Sequence, residues 1–194
     1  MNRIARPGFG AAQGERYCMA LVVLLRGVNV GGHRTFRPSL LARELSHLDA
    51  VNVGAAGTFV IRRAVSPAHV RAEFARRLPF AAEIMICRGA EILRLMTCDF
   101  FTGHAARPDI VRFVSVLARL PRAAPPTPMD LPATGQWLVR VLARDRRFVV
   151  GVYRRQMKAI GCLGTLDRVF GVAVTTRSWS TMATVAKVLG EGTT

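Results

Sequence analysis

The first strong apolar signal is a short continuous run, Ala20 to Leu25, partly β-branched and ended by Arg26 and Gly27. That pattern predicts a buried strand followed by a glycine turn. In RPSLLARELSHL, Leu41, Leu45 and Leu48 recur at i, i+4 and i+7 behind Pro38. This is one helical face, with proline where a helix start tolerates a missing N–H. The β-rich runs AVNV and TFVIRR flank GAAG and predict a hairpin. SPAHVRAEFARRL places Ser66 to cap, Pro67 at the first helical position, and Val70, Phe74 and Leu78 on one face. EIMIC supplies a fourth strand, so residues 20–88 read β-α-β-β-α-β, the order of a ferredoxin-like unit. A short helix follows over Ala90–Met96, then an irregular connection, DFFTGHAARP.

The second half opens with DIVRFVSVLARL, in which Val111, Phe113, Val114 and Val116 predict a strand. Pro121, Pro125, Pro126, Pro128 and Pro132 then crowd one segment and predict a surface excursion between two parts of the chain. QWLVRVLA and RFVVGVY around RDR read as another hairpin, and RRQMKAIGCLGTLDRVFG as a helix softened by Gly161 and Gly164. In TTRSWSTMATVAKVL, Ser178 or Ser180 can cap a last helix burying Val185, Val188 and Leu189. The expected architecture is α+β. It comprises a leader over 1–18, a ferredoxin-like subdomain over 19–118, a Pro-rich connection over 119–135 and a smaller C-terminal α+β subdomain over 136–194.

Composition sharpens this picture in three places. The longest apolar run, Met19 to Leu25, is far short of the roughly 20 residues of a membrane span. No membrane association is therefore expected. Residues 1–18 lack the apolar core of a secretory signal and fit a disordered arm or a mis-assigned start, with Met19 as the natural one. Cys18, Cys87, Cys98 and Cys162 are scattered without a C-x-x-C, which predicts neither zinc nor a disulfide framework and suits a cytoplasmic setting.

The net charge is +16, from 28 basic residues against 12 acidic ones. Such an excess is the footprint of a protein that meets a polyanion. All the basic residues but Lys158 and Lys187 are arginine. A GC-rich genome accounts for arginine over lysine, though not for the scarcity of carboxylates.

Chemistry is less legible. LLRGVNVGG holds Gly27 and Gly32 at the spacing of a phosphate-binding loop, but His33 and Arg34 stand where that motif needs Lys and Ser or Thr. Nucleotide hydrolysis is therefore not expected. Two readings remain for the loop: backbone N–H groups forming an anion-binding concavity beside Arg26, His33 and Arg34, or glycines that only permit positive φ in a turn. Trp179 reads as a packing anchor before it reads as a base-stacking platform. No G-x-S-x-G occurs, and His33, His47, His69 and His104 lack metal-ligand spacing. The carboxylates Glu44, Asp99, Asp109, Asp130, Asp145 and Asp167 show no local pairing, so neither a metal nor a cofactor is expected.

LLRGVNVGG, the hairpin GAAGTFV and the tail TTRSWSTMATVAKVL together resemble a bacterial family known as domain-of-unknown-function family 1697, over about Met19 to Leu189. The resemblance implies an α+β protein of ferredoxin-like character with no assigned activity. In the family the hairpin reads like Q-S-G-N, where this chain has Ala55, Ala56, Gly57 and Thr58. The family tail reads R-N-W-N-T with a lysine shortly after, where this chain has Arg177, Ser178, Trp179, Ser180 and Thr181, with Thr184 at the lysine position; for the family's polar lysine-containing segment before the last helices, Lys158 is the nearest candidate. The candidate ligand-binding residues are Arg26, Gly27, Asn29, Gly31, Gly32, His33, Arg34, Arg177, Trp179 and Thr181.

The function expected is binding of a phosphate-bearing partner, nucleic acid or a phosphorylated small molecule. The alternatives are an enzyme acting on a small anionic substrate and a purely structural or interaction module.

Overall fold

A computed structural model describes residues 19–28, 36–104 and 107–191. The protein is a mixed α+β structure with two antiparallel sheets. The first sheet contains β1 (Leu21–Arg26), β2 (Ala50–Asn52), β3 (Thr58–Ile61) and β4 (Glu83–Arg88) in the order β2-β3-β1-β4. β1 is central, paired with β3 on one side and β4 on the other. That position explains its unbroken apolar run, because both faces are covered. Leu21, Val23 and Leu25 pack on one face with Leu41, Leu45, Leu48, Val70 and Phe74, from helix α1 (Pro38–Glu44), the 3₁₀ turn after it (Ser46–Leu48) and helix α2 (Pro67–Arg77). Val22 and Leu24 face the opposite way.

Leu41, Leu45 and Leu48 and the apolar stripe of the second helix are therefore buried as their spacing predicts, although the first helix ends at Glu44 and Leu48 lies in the 3₁₀ turn. Ser66 caps α2 by accepting from His69 N at 3.1 Å. Between β2 and β3, Gly57 sits at φ +68, and a Cβ there would lie 2.8 Å from Val28 Cγ2 and 2.9 Å from Leu25 Cβ.

The second sheet contains β5 (Ile110–Leu117), β6 (Met129–Leu131), β7 (Val139–Asp145), β8 (Phe148–Arg154) and β9 (Val174–Ser178) in the order β6-β7-β8-β5-β9. Val114, Val116, Phe148 and Val150 of this sheet share a core with Val22, Leu24 and Val60 of the first. Helices α3 (Gly89–Met96) and α6 (Trp179–Gly190) pack on each other and add Ile92, Leu95, Met182 and Val185 to that core. The outer face, with Phe113, Val141 and Val149, is covered by α4 (Met157–Gly164) and α5 (Leu166–Phe170) through Ala159, Leu166 and Phe170.

The strands differ from the sequence expectation in three respects. β5, grouped above with the N-terminal part, pairs with β8 and β9 and belongs to the second sheet. Its buried run Phe113–Leu117 is that of a strand covered on both faces. The Pro-rich stretch is not only a connection, since Met129–Leu131 pairs with β7 as an edge strand, where flanking prolines are tolerated. A strand, β9, also precedes the last helix.

Among the described residues, no helix is long and apolar enough to cross a membrane.

Candidate functional site

A cleft of about 520 Å³ opens where the two sheets meet. Its wall is built from the end of β1 (Leu25, Arg26), the turn after it (Gly27, Val28), Ala56 before β3, Tyr153 of β8, the Ile160–Gly164 side of α4, Asp167 of α5 and all of β9. The head motif and the tail motif thus converge, although about 150 residues of chain separate Arg26 and Arg177.

Arg177 dominates the inner wall. Only 7% exposed, it donates from Nε to Thr58 Oγ1 (2.7 Å) and from Nη1 to Thr175 Oγ1 (3.0 Å) and Thr176 O (2.8 Å). Its Nη2 donates to Leu25 O (2.8 Å) and Ala56 O (2.7 Å). Among the described residues every hydrogen-bond partner is neutral, and no salt bridge involves this guanidinium. Burial pushes its pKa down to about 10, so at neutral pH the charge remains in place. A buried cation whose donors are satisfied but whose charge is not balanced leaves positive potential in the space beside it.

Arg26 behaves differently. It donates from Nη1 to Glu83 Oε2 (3.0 Å), from Nη2 to Asp167 Oδ2 and from Nε to Val174 O (3.0 Å). Asp167 also accepts from Val174 N at 3.0 Å. Arg26 therefore fastens β1 to β9 and brings together two carboxylates that are far apart in sequence. Gly27 follows at φ +66, a conformation that favours glycine at the point where the chain leaves β1. Asn29, Gly31, Gly32, His33 and Arg34 lie outside the described residues.

Trp179 does not line this cleft. Its ring packs edge-on against Phe101 (centroids 4.9 Å apart) and Phe100 (6.4 Å), as a packing anchor would. Thr181 serves the helix start: Ser178 Oγ accepts from Thr181 N at 3.1 Å and caps α6. Of the residues singled out by sequence that are described here, Arg26, Gly27 and Arg177 meet at the cleft. Tyr153, Ile160, Leu163 and Thr176 were missed. Nothing local marks them, because they reach the cleft only once the second sheet forms.

Other charged groups serve structure. Glu73 is buried between His47 Nε2 (2.7 Å), Arg77 Nη1 (2.6 Å) and Arg76. Desolvation pushes its pKa up, but the His47 hydrogen bond and the two arginines outweigh this and hold it below 4.5. Cys87 is buried, and desolvation raises its thiol to about 11 despite Arg147, whose Nη2 lies 2.8 Å from the sulfur. It remains a protonated thiol at neutral pH, not a nucleophile. Arg140 holds Asp130 through two bonds (2.6 and 2.7 Å), while Arg140 and Arg154 lie 4.9 and 4.5 Å from the centroid of the Trp137 ring.

The fold, more than the sequence, connects this chain to known proteins. No family model matches it, and no curated protein does. What it shares is a two-sheet α+β fold found in a bacterial protein of known structure. That structure is the conserved bacterial protein SP0830 from Streptococcus pneumoniae, with a TM-score of 0.55 and 14% identity, covering 88% of this chain and 98% of the other.

Proposed function

We propose that the protein binds a small anionic ligand, phosphate- or carboxylate-bearing, in the cleft between its two sheets. The observation that carries this reading is Arg177, a buried guanidinium with no carboxylate partner among the described residues, set in the wall of a cavity of ligand size. A ligand anion would supply the missing charge. Because the five donors of Arg177 are already used, its contribution is electrostatic, and hydrogen bonds to the ligand would come from the hydroxyls and backbone groups of the wall.

Nucleic acid is the weaker form of the proposal. Several arginines that a backbone-binding surface would present are half-buried and donate to main-chain oxygens instead: Arg62, Arg112, Arg147 and Arg154. The +16 charge is then partly a structural resource. We assign no catalytic role. The cytoplasmic reading is supported by free thiols at Cys87, Cys98 and Cys162.

The same reading keeps the first sheet as a ferredoxin-like unit. The strand order β2-β3-β1-β4, with α1 following β1 and α2 following β3, supports it. The bacterial structural neighbour is consistent with an uncharacterised bacterial family; the finer reading, family 1697, rests on the head and tail motifs alone.

The test is thermal unfolding with a panel of small phosphorylated and carboxylated compounds, on the native chain and on Ala56→Glu. This substitution places a carboxylate at an exposed position on the cleft rim, next to Arg177. A ligand at about 100 times its Kd stabilises by about 2.7 kcal/mol, a rise in Tm of about 5–10 °C for a chain of this size. Ala56→Glu should remove that rise and leave the unliganded Tm nearly unchanged. Binding of labelled single- or double-stranded nucleic acid that survives physiological salt, with no response to small anions, would overturn the proposal.

A further inference from the structure

Helix α4 forms one side of the cleft, and its apolar residues are unusually exposed. Of its residues only Ala159 is buried, while Met157 is 86% exposed and Ile160 48%. The other large apolar side chains left exposed among the described residues, Met19, Leu40 and Leu120, lie on three separate parts of the chain. Ile160 and Leu163 line the cleft together with Val28 and Tyr153. The cavity is therefore divided: a cationic inner wall at β9 and an apolar flank at α4.

The charge of the wall limits what can enter. Among the described residues its charged side chains are Arg26, Arg177 and Asp167, a sum of +1, and Arg26 is paired with Asp167. Glu83, the second partner of Arg26, is not part of the lining, so within the wall Arg177 is the cation without a paired carboxylate. A polyphosphate would bring more negative charge than the described residues of the wall can neutralise, and desolvating the surplus is costly.

We infer that the ligand is an amphiphilic monoanion, a carboxylic acid with an alkyl or aryl body, its acid group at the Arg177 end and its body against Ile160 and Leu163. This rests on the anion-binding reading above and adds the nature of the ligand to it. Burying the body on α4 removes from water apolar surface that the free protein leaves exposed.

The test is isothermal titration of the full chain with the alkanoates from butanoate to decanoate, the matching primary alcohols, and inorganic phosphate, at physiological salt and below micelle formation. Affinity should tighten by about fourfold for each methylene buried. Alcohols should bind at least about tenfold more weakly than the acids of equal length, because they lack the charge that Arg177 attracts. Ile160→Ser should flatten the dependence on chain length, weakening decanoate far more than butanoate, and Ala56→Glu should weaken the acids more than the alcohols. Binding of phosphate and short acids with no dependence on chain length would overturn this inference while leaving the anion site standing. Equal binding of acids and alcohols would overturn the anion site itself, and no binding by any of the series would overturn both.

Discussion

Replacing Arg177 with methionine removes the guanidinium while keeping most of the side-chain volume. Five hydrogen bonds to a charged donor of 3.0 Å or less are lost, from Thr58, Thr175, Thr176, Leu25 and Ala56, besides a longer one to Gly57 O at 3.4 Å. At about 1.5 kcal/mol each, the low end for bonds to charged groups, the gross loss is about 7 kcal/mol. Against this stands relief from desolvation: moving the guanidinium pKa from 12.5 to about 10 corresponds to about 3 kcal/mol. The net expectation is a destabilisation of about 4 kcal/mol, a large share of the 5–15 kcal/mol typical of a folded domain.

Urea unfolding of Arg177→Met, followed by circular dichroism, measures it directly. Double variants with Thr58→Val and Thr175→Val, which remove two of the orphaned hydroxyls, should recover part of the loss. A change below about 1 kcal/mol would refute the reasoning, because it would mean that the wall hydroxyls and carbonyls are satisfied by water entering from the cleft. Recovery by neither double variant would place the loss on the carbonyls instead.

Further expectations concern other sites. Gly57→Ala should destabilise by about 2 kcal/mol or more, since φ +68 is strained for alanine and its Cβ would press on Leu25 and Val28; chemical denaturation reads it, and a neutral result would show that the turn can move. Glu73→Gln should be less stable than the native chain at neutral pH. Because the folded pKa of Glu73 lies below 4.5, its stabilisation is present above that value and fades as pH falls through the lowered one. Urea midpoints from about pH 7 to about pH 3 should therefore converge for the two proteins, and a constant gap would refute the assignment. Gly161→Ala should stabilise by about 0.5–1 kcal/mol, since this exposed helical glycine has open space around the position of a Cβ; a fall in Tm would mean that α4 needs the glycine.

Much of the fold was legible because it is written in local periodicity. Leu41, Leu45 and Leu48, and likewise Val70, Phe74 and Leu78, are spaced as helical faces and are buried as such. The Ser66 cap and the hairpin around Asp145–Phe148 carry their own turn chemistry. β9 was hidden because VTTRS reads as polar. Two of its inward residues, Thr175 and Arg177, are buried by hydrogen bonding and not by hydrophobicity.

The place of β5 was hidden for a different reason. A strand's partners are set by long-range pairing, and the prolines after it suggested a break that the edge position of β6 absorbs. The cleft was half visible. Arg26, Gly27 and Arg177 were singled out, whereas Tyr153, Ile160 and Leu163 enter it only through the docking of the second sheet and α4.

The seam between the sheets also constrains how this sequence could change. Arg26 reaches Val174 O while holding two carboxylates, Arg147 reaches Ile86 O and the Cys87 sulfur, and Arg177 joins β9 to β1 and β3. Each junction uses a flat, forked group with donors pointing in several directions at once. Lysine offers a single nitrogen and cannot span the same acceptors. An arginine content that base composition can explain at the level of the genome has become, at these three positions, a geometric commitment. Recoding the chain from arginine to lysine would keep its net charge and undo the joint between its halves.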